Sequence, residues 1–135
     1  SSKINSSSWI LENWNNQREE RVWGYFQTLK TEKNVKLKEL VVKAGKGISY
    51  QRHFERSEIW FVSKGKCKVK LSKTDPDKFE EKILNLNDLF KVDRNDWHQI
   101  INPFEDDCHL IEIQYGPKVI EDDIERLYFY EENDD

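Results

Sequence analysis

At 135 residues the chain has room for one domain with a modest core, and not for two. Hydrophobic residues make up 36% and five residues are tryptophan, which excludes wholesale disorder. With 22 basic and 26 acidic residues the net charge is −4, a poor match to a phosphate backbone. No apolar run approaches the roughly 18 residues that span a bilayer, so neither nucleic acid nor membrane is an expected partner.

In chain order, Ser6-Ser7-Ser8 offers a cap for a short helix through Trp9, Ile10 and Trp14. Residues 1–20 form an N-terminal extension, and its tryptophans are the expected arm of a homodimer. From Val22 the pattern turns to strands. Val35-Lys36-Leu37-Lys38 and Lys66-Cys67-Lys68-Val69-Lys70-Leu71 alternate lysine with apolar residues, which predicts one solvated and one buried face. Ile59–Val62 is a short apolar run, and Leu110-Ile111-Glu112-Ile113-Gln114-Tyr115 is a further buried strand. Turn signals at Ala44–Gly47, Ser63–Gly65, Thr74–Asp77, Asn85–Asp88, Asp93–Asp96, Asn102-Pro103 and Tyr115–Pro117 separate the strands at short intervals. The class is all-β, a sandwich or barrel. Ile120, Ile124 and Leu127 fall at helical spacing behind Asp122 and Asp123, so a short solvated helix is expected there. Residues 131–135 read as a frayed acidic tail. Cys67 and Cys108 are too few for a disulfide framework and read as buried thiols in a reducing compartment, with the cytoplasm as the expected location.

Only three histidines are present, and their neighbours are informative. On an extended strand Gln51, His53 and Glu55 share a face, and a turn at Arg56-Ser57 lets Glu58 point back toward it. His98 opens a later strand, with Asn102 four residues on. Two imidazoles, a carboxylate and a further oxygen suit one divalent ion, with zinc expected and Mn, Co, Fe or Ni able to use the same donors. Glu55 either binds metal or pairs with a neighbouring base. His109 reads as an ordinary strand residue.

These residues resemble the motifs of the cupin superfamily. Five residues separate Gly47 from His53 and six separate Glu58 from Gly65, as in the first cupin motif, with Glu55 in place of its second histidine. The second motif, Gly-x5-Pro-x-Gly-x2-His-x3-Asn, maps onto Asn87, Asp93, Asn95, His98 and Asn102, where only the His and Asn survive. The likeness is closer still to the type II mannose-6-phosphate isomerase domain. Arg21-Val22-Trp23-Gly24, Lys36-Leu37-Lys38 and Ala44-Gly45 resemble its opening. The run from Ser49 to Trp60 resembles its Ser-Leu-Gln-x-His-x-x-Arg-x-Glu-x-Trp signature, and Leu110–Gly116 with Glu121–Arg126 resembles its ending.

The resemblance implies a double-stranded β-helix, or jelly-roll, barrel over residues 21–130 with short terminal helices. It implies a metal held by Gln51, His53, Glu58 and His98, and a sugar phosphate as substrate. Arg56, Glu112 and Arg126 are then the expected catalytic residues, with Glu112 a base only if it faces the interior. Lys36, Arg21 and Trp60 are the expected substrate contacts, although barrel packing also accounts for Trp60. In this family the domain often follows a nucleotidyltransferase domain, for which 135 residues leave no room. Val22 and Ala44 replace family prolines, Ile120 replaces a glycine, and Glu39 stands where a basic residue is common. The expected function is mannose 6-phosphate/fructose 6-phosphate isomerisation. A metal-containing cupin that binds a sugar without turnover is the alternative, and a metal-dependent oxygenase a third.

Overall fold

Side chains of a strand alternate between two faces, so a strand that lines a barrel shows its interior residues at every second position. Cys108, Leu110, Glu112 and Gln114 do this in a central eight-residue strand, all four being buried. The computed structural model describes residues 17–131. They form eleven strands: β1 (Glu19–Arg21), β2 (Gly24–Thr31), β3 (Val35–Val42), β4 (Tyr50–Arg52), β5 (Ser57–Lys64), β6 (Cys67–Ser72), β7 (Glu80–Leu84), β8 (Leu89–Val92), β9 (Trp97–Ile101), β10 (Cys108–Tyr115) and β11 (Glu125–Tyr128). One sheet has the order β1-β2-β3-β10-β5-β8 and the other β11-β4-β9-β6-β7, with every pairing antiparallel. This is the jelly-roll barrel expected from the sequence.

Register grades the interior from apolar to polar. Across β3, β10 and β5, Leu40 lies opposite Leu110, which lies opposite Val62. Two residues further on, Lys38 faces Glu112, which faces Trp60, and then Lys36, Gln114 and Glu58 align. Val42, Val62, Cys67, Val69, Ile100 and Cys108 are fully buried and close the apolar end. The two thiols are the buried, unbridged pair expected from the sequence, and the Cys67 thiol is pushed up by its hydrogen bond to Cys108 and by burial.

Two expectations change. No helix is present among the described residues, and the segment after Glu121 is a turn followed by β11, which pairs with β4. The helical spacing of Ile124 and Leu127 loses because Asp123 does not cap its own segment. Its carboxylate instead accepts the backbone N–H groups of Phe54 and Glu55 at 2.8 and 2.9 Å. The helix expected at Ser6–Trp14, and with it the proposed dimer arm, lies outside the described residues. The second change concerns Lys36 and Lys38. Both point into the barrel rather than to solvent, while Val35 is 41% exposed.

The rewritten second motif keeps its backbone. Asn87 and Asn95 stand at the two positions where the motif has glycine, and both have φ of 71°. Asparagine is among the few residues that tolerate this left-handed region. Asn95 N–H donates to the His53 carbonyl at 2.7 Å, so the turn ties the two motifs together.

Candidate metal centre

His53 follows the end of β4, Glu58 is the second residue of β5, and His98 is the second of β9. All three are buried, at 2%, 1% and 0% exposure. Their ligand atoms lie within 4.8 Å of one another. His53 Nε2 is 3.5 Å from Glu58 Oε2, and His98 Nε2 is 3.4 Å from Glu58 Oε1.

Backbone carbonyls set both tautomers. His53 Nδ1 donates to the Asp123 carbonyl at 2.7 Å, and His98 Nδ1 donates to the Asp96 carbonyl at 2.9 Å. A carbonyl can only accept, so each ring carries a proton on Nδ1 and turns its Nε2 toward Glu58. Burial is the main force that lowers the His53 pKa to about 4; His98 and Arg56 add to it while Glu58 opposes. Burial pushes Glu58 upward, but His53, His98 and Arg56 outweigh it and hold the carboxyl below its usual range.

Glu58 Oε1 and His98 Nε2 are buried with no hydrogen-bond partner. Orphaned buried donors and acceptors are costly, so this pair of atoms calls for a partner that the protein does not supply. A divalent cation satisfies both, and two neutral imidazoles with one carboxylate form a well-suited donor set. Arg56 reaches the same spot. Its Nη2 is 3.1 Å from Glu58 Oε2 and donates to His53 Nε2 at 3.2 Å. One lone pair serves one partner, so a metal on His53 requires that contact to open.

A cavity of about 370 Å³ opens beside these residues. Of the residues singled out in the sequence, Arg21, Gln51, Arg56, Glu58, Glu112 and Arg126 line it. Gln51 is paired with His98 across β4 and β9, and its Oε1 accepts from Ser49 Oγ at 2.9 Å. Glu112 does face the interior. It accepts from Trp60 Nε1 at 3.0 Å and from Gln114 Nε2 at 2.6 Å. Burial, reinforced by the charge of Glu58, raises its pKa to about 7 against the opposing pull of Arg56, Lys38 and Gln114.

Trp60, Lys36, Glu55 and Glu39, all named from the sequence, lie outside the cavity lining. Trp60 is fully buried and outside the cavity wall, with its ring edge-on to His98 at 5.6 Å, so it supports the site instead of touching a ligand. Lys36 also lies outside the lining, and its Nζ is bound to Glu121 at 3.1 Å. Glu55 does not share the His53 face: the chain bends at Phe54 and Glu55 once Asp123 holds their N–H groups. Glu39 projects from the opposite face of β3 to Lys38 and does not enter the cavity. Sequence reasoning missed Lys38, Glu121 and Asp123. Lys38 is two residues from Lys36 and shares its face, a signal that was there to be used.

The sequence model described as mannose-6-phosphate isomerase C-terminal matches residues 11–129. The chain belongs to that family. Among its relatives, the mannose-1-phosphate guanylyltransferase of Salmonella montevideo is 33% identical over 107 residues, which is 79% of this chain and 21% of that protein. The alginate biosynthesis protein AlgA of Pseudomonas aeruginosa is also 33% identical, over the same shares of the two chains. The family domain described here therefore spans about a fifth of the curated relatives it matches. Solved structures agree on the cupin fold. The capsular polysaccharide assembling protein CapF of Staphylococcus aureus superposes with a TM-score of 0.73 at 17% identity, over 84% of this chain and 34% of that one. Oxalate decarboxylase of Bacillus subtilis gives 0.73 at 14% identity, over 84% and 30%. No helix among the described residues is long and apolar enough to cross a membrane.

Proposed function

We propose that this domain is a divalent-metal-dependent aldose–ketose isomerase acting on a sugar phosphate of the mannose 6-phosphate/fructose 6-phosphate type. The observation that carries the reading is Glu112, a buried carboxyl with a pKa near 7 in the wall of the cavity that also holds Glu58. Interconverting an aldose and a ketose moves a proton between adjacent carbons, and a group that titrates near neutrality both takes and returns it. A metal on His53, Glu58 and His98, with Gln51 as the fourth protein donor, would supply polarisation of the carbonyl oxygen.

The chain's own groups do the rest. Glu112 receives the proton from the carbon and delivers it to the neighbour. Trp60 Nε1 and Gln114 Nε2 each occupy one lone pair of its oxygens and fix the plane of the carboxyl. Arg56 is 6% exposed and lies beside Glu58, where a guanidinium balances negative charge that develops on the substrate oxygens. Arg126 and Arg21 flank the mouth. The test is turnover of mannose 6-phosphate by protein loaded with Zn, Mn or Co, in the wild type and in Glu112→Gln. Turnover that falls by about 10²-fold or more in the variant, with metal retained, supports the assignment. Metal and sugar phosphate binding with no turnover in any loaded form overturns it and leaves the binding module.

A further inference from the structure

Three carboxylates line the cavity, and they are not equivalent. Glu58 and Glu112 sit on β5 and β10 and are at most 5% exposed. Glu121 lies in the turn between β10 and β11, and its side chain is 62% exposed. Its Oε1 accepts from Lys38 Nζ at 2.9 Å and from Lys36 Nζ at 3.1 Å. The two lysine side chains are only 6% and 16% exposed. One buried and one half-buried ammonium group thus converge on one oxygen of a side chain that enters from the surface.

We infer that Lys38, which lines the cavity, forms its anion subsite with Lys36 as a second ammonium group behind it, and that Glu121 is an internal occupant which the phosphate of a substrate displaces. The inference rests on the sugar-phosphate reading above. Lys38 lines the cavity and remains in place when the carboxylate leaves, since its Nζ also lies 4.5 Å over the Phe26 ring. The turn need not move as a whole. Asp123 stays clamped to Phe54 and Glu55, Arg56 Nη1 donates to the Ile120 carbonyl at 3.4 Å, and β11 stays paired with β4. Rotation of the Glu121 side chain into solvent is enough.

The exchange selects for charge. A buried lysine left without a counter-ion is unfavourable, so Glu121 leaves when another anion arrives and not when a neutral sugar does. The lysines, for their part, hold Glu121 ionised: partial burial raises its carboxyl, but Lys38 and Lys36 outweigh that and bring it to about 2. The resident carboxylate therefore competes with the ligand at every neutral pH, and its removal unmasks affinity.

Isothermal titration of wild type, Glu121→Gln and Lys38→Met with inorganic phosphate, mannose 6-phosphate and mannose tests this. Glu121→Gln should bind both phosphates about tenfold more tightly and mannose unchanged, and Lys38→Met should bind the phosphates at least about tenfold more weakly. Glu121 is exposed, so its variant folds and decides the matter even if Lys38→Met does not. Phosphate affinity that is unchanged or weaker in Glu121→Gln overturns the inference, as does absence of phosphate binding in both proteins. The two readings separate: turnover with an indifferent Glu121→Gln removes only the displaceable occupant. Tighter phosphate binding without turnover removes only the isomerase.

Discussion

Asp123 holds His53 through its main chain: the Asp123 carbonyl accepts the His53 Nδ1 proton at 2.7 Å across 70 residues of sequence. The side chain of the same residue clamps Phe54 and Glu55. Asp123→Ala keeps the carbonyl but frees two N–H groups, so the loop that carries His53 loosens. Partners that orient a ligand are worth about 10–100-fold in metal affinity. We expect that loss for zinc or cobalt in titrations of Asp123→Ala, with about 1–3 kcal/mol of stability lost in denaturant unfolding. Unchanged metal affinity would reduce Asp123 to a structural clamp.

His53→Ala and His98→Ala each remove one donor from the buried cluster. Elemental analysis of protein purified without chelator should find about one metal per chain in the wild type and in His109→Ala, and none in the first two variants. Equal metal content in all four proteins would place the ion elsewhere.

Glu112 makes stability depend on pH in a defined direction. Its carboxyl titrates near 7 in the folded protein and near about 4.3 in an unfolded chain, so the folded state binds the proton more tightly. The stabilisation is complete below about 4.3 and is lost as pH rises through about 7. Denaturant midpoints measured with chelator between pH 6 and 8 should fall with rising pH in the wild type and less steeply in Glu112→Gln. Parallel slopes would mean that Glu112 is ionised throughout.

Asn95 pays a conformational cost to replace a motif glycine at φ 71°. Asn95→Gly should stay within about 0.5 kcal/mol of the wild type, whereas Asn95→Val should lose about 1–2 kcal/mol, read from thermal melts at fixed pH. The contact from Asn95 N–H to the His53 carbonyl predicts weaker metal binding in the valine variant as well.

The juxtaposition of His53, Glu58 and His98 was legible because a spacing motif reports residues that neighbouring strands bring together, and these three carry that spacing themselves. The lysines of β3 were legible as a shared face but not as an interior one. Alternation says that Lys36 and Lys38 differ from Val35 and Leu37; it does not say which pair is inside, and a polar cavity inverts the usual answer. Asp123 was hidden for a different reason. Its acidic neighbours and the spacing of Ile124 and Leu127 satisfy a helix locally, and only the distant N–H groups of Phe54 and Glu55 outbid it. Asn87 and Asn95 looked like lost glycines until their dihedral angles showed the same backbone.

The graded interior makes this barrel a cul-de-sac. Its far end is closed by fully buried side chains such as Val42, Val62 and Cys108, and the polar side chains gather at the other, where the cavity beside Glu58 opens. For the isomerase proposed above, substrate and product would then use the same mouth and inhibit each other as simple competitors.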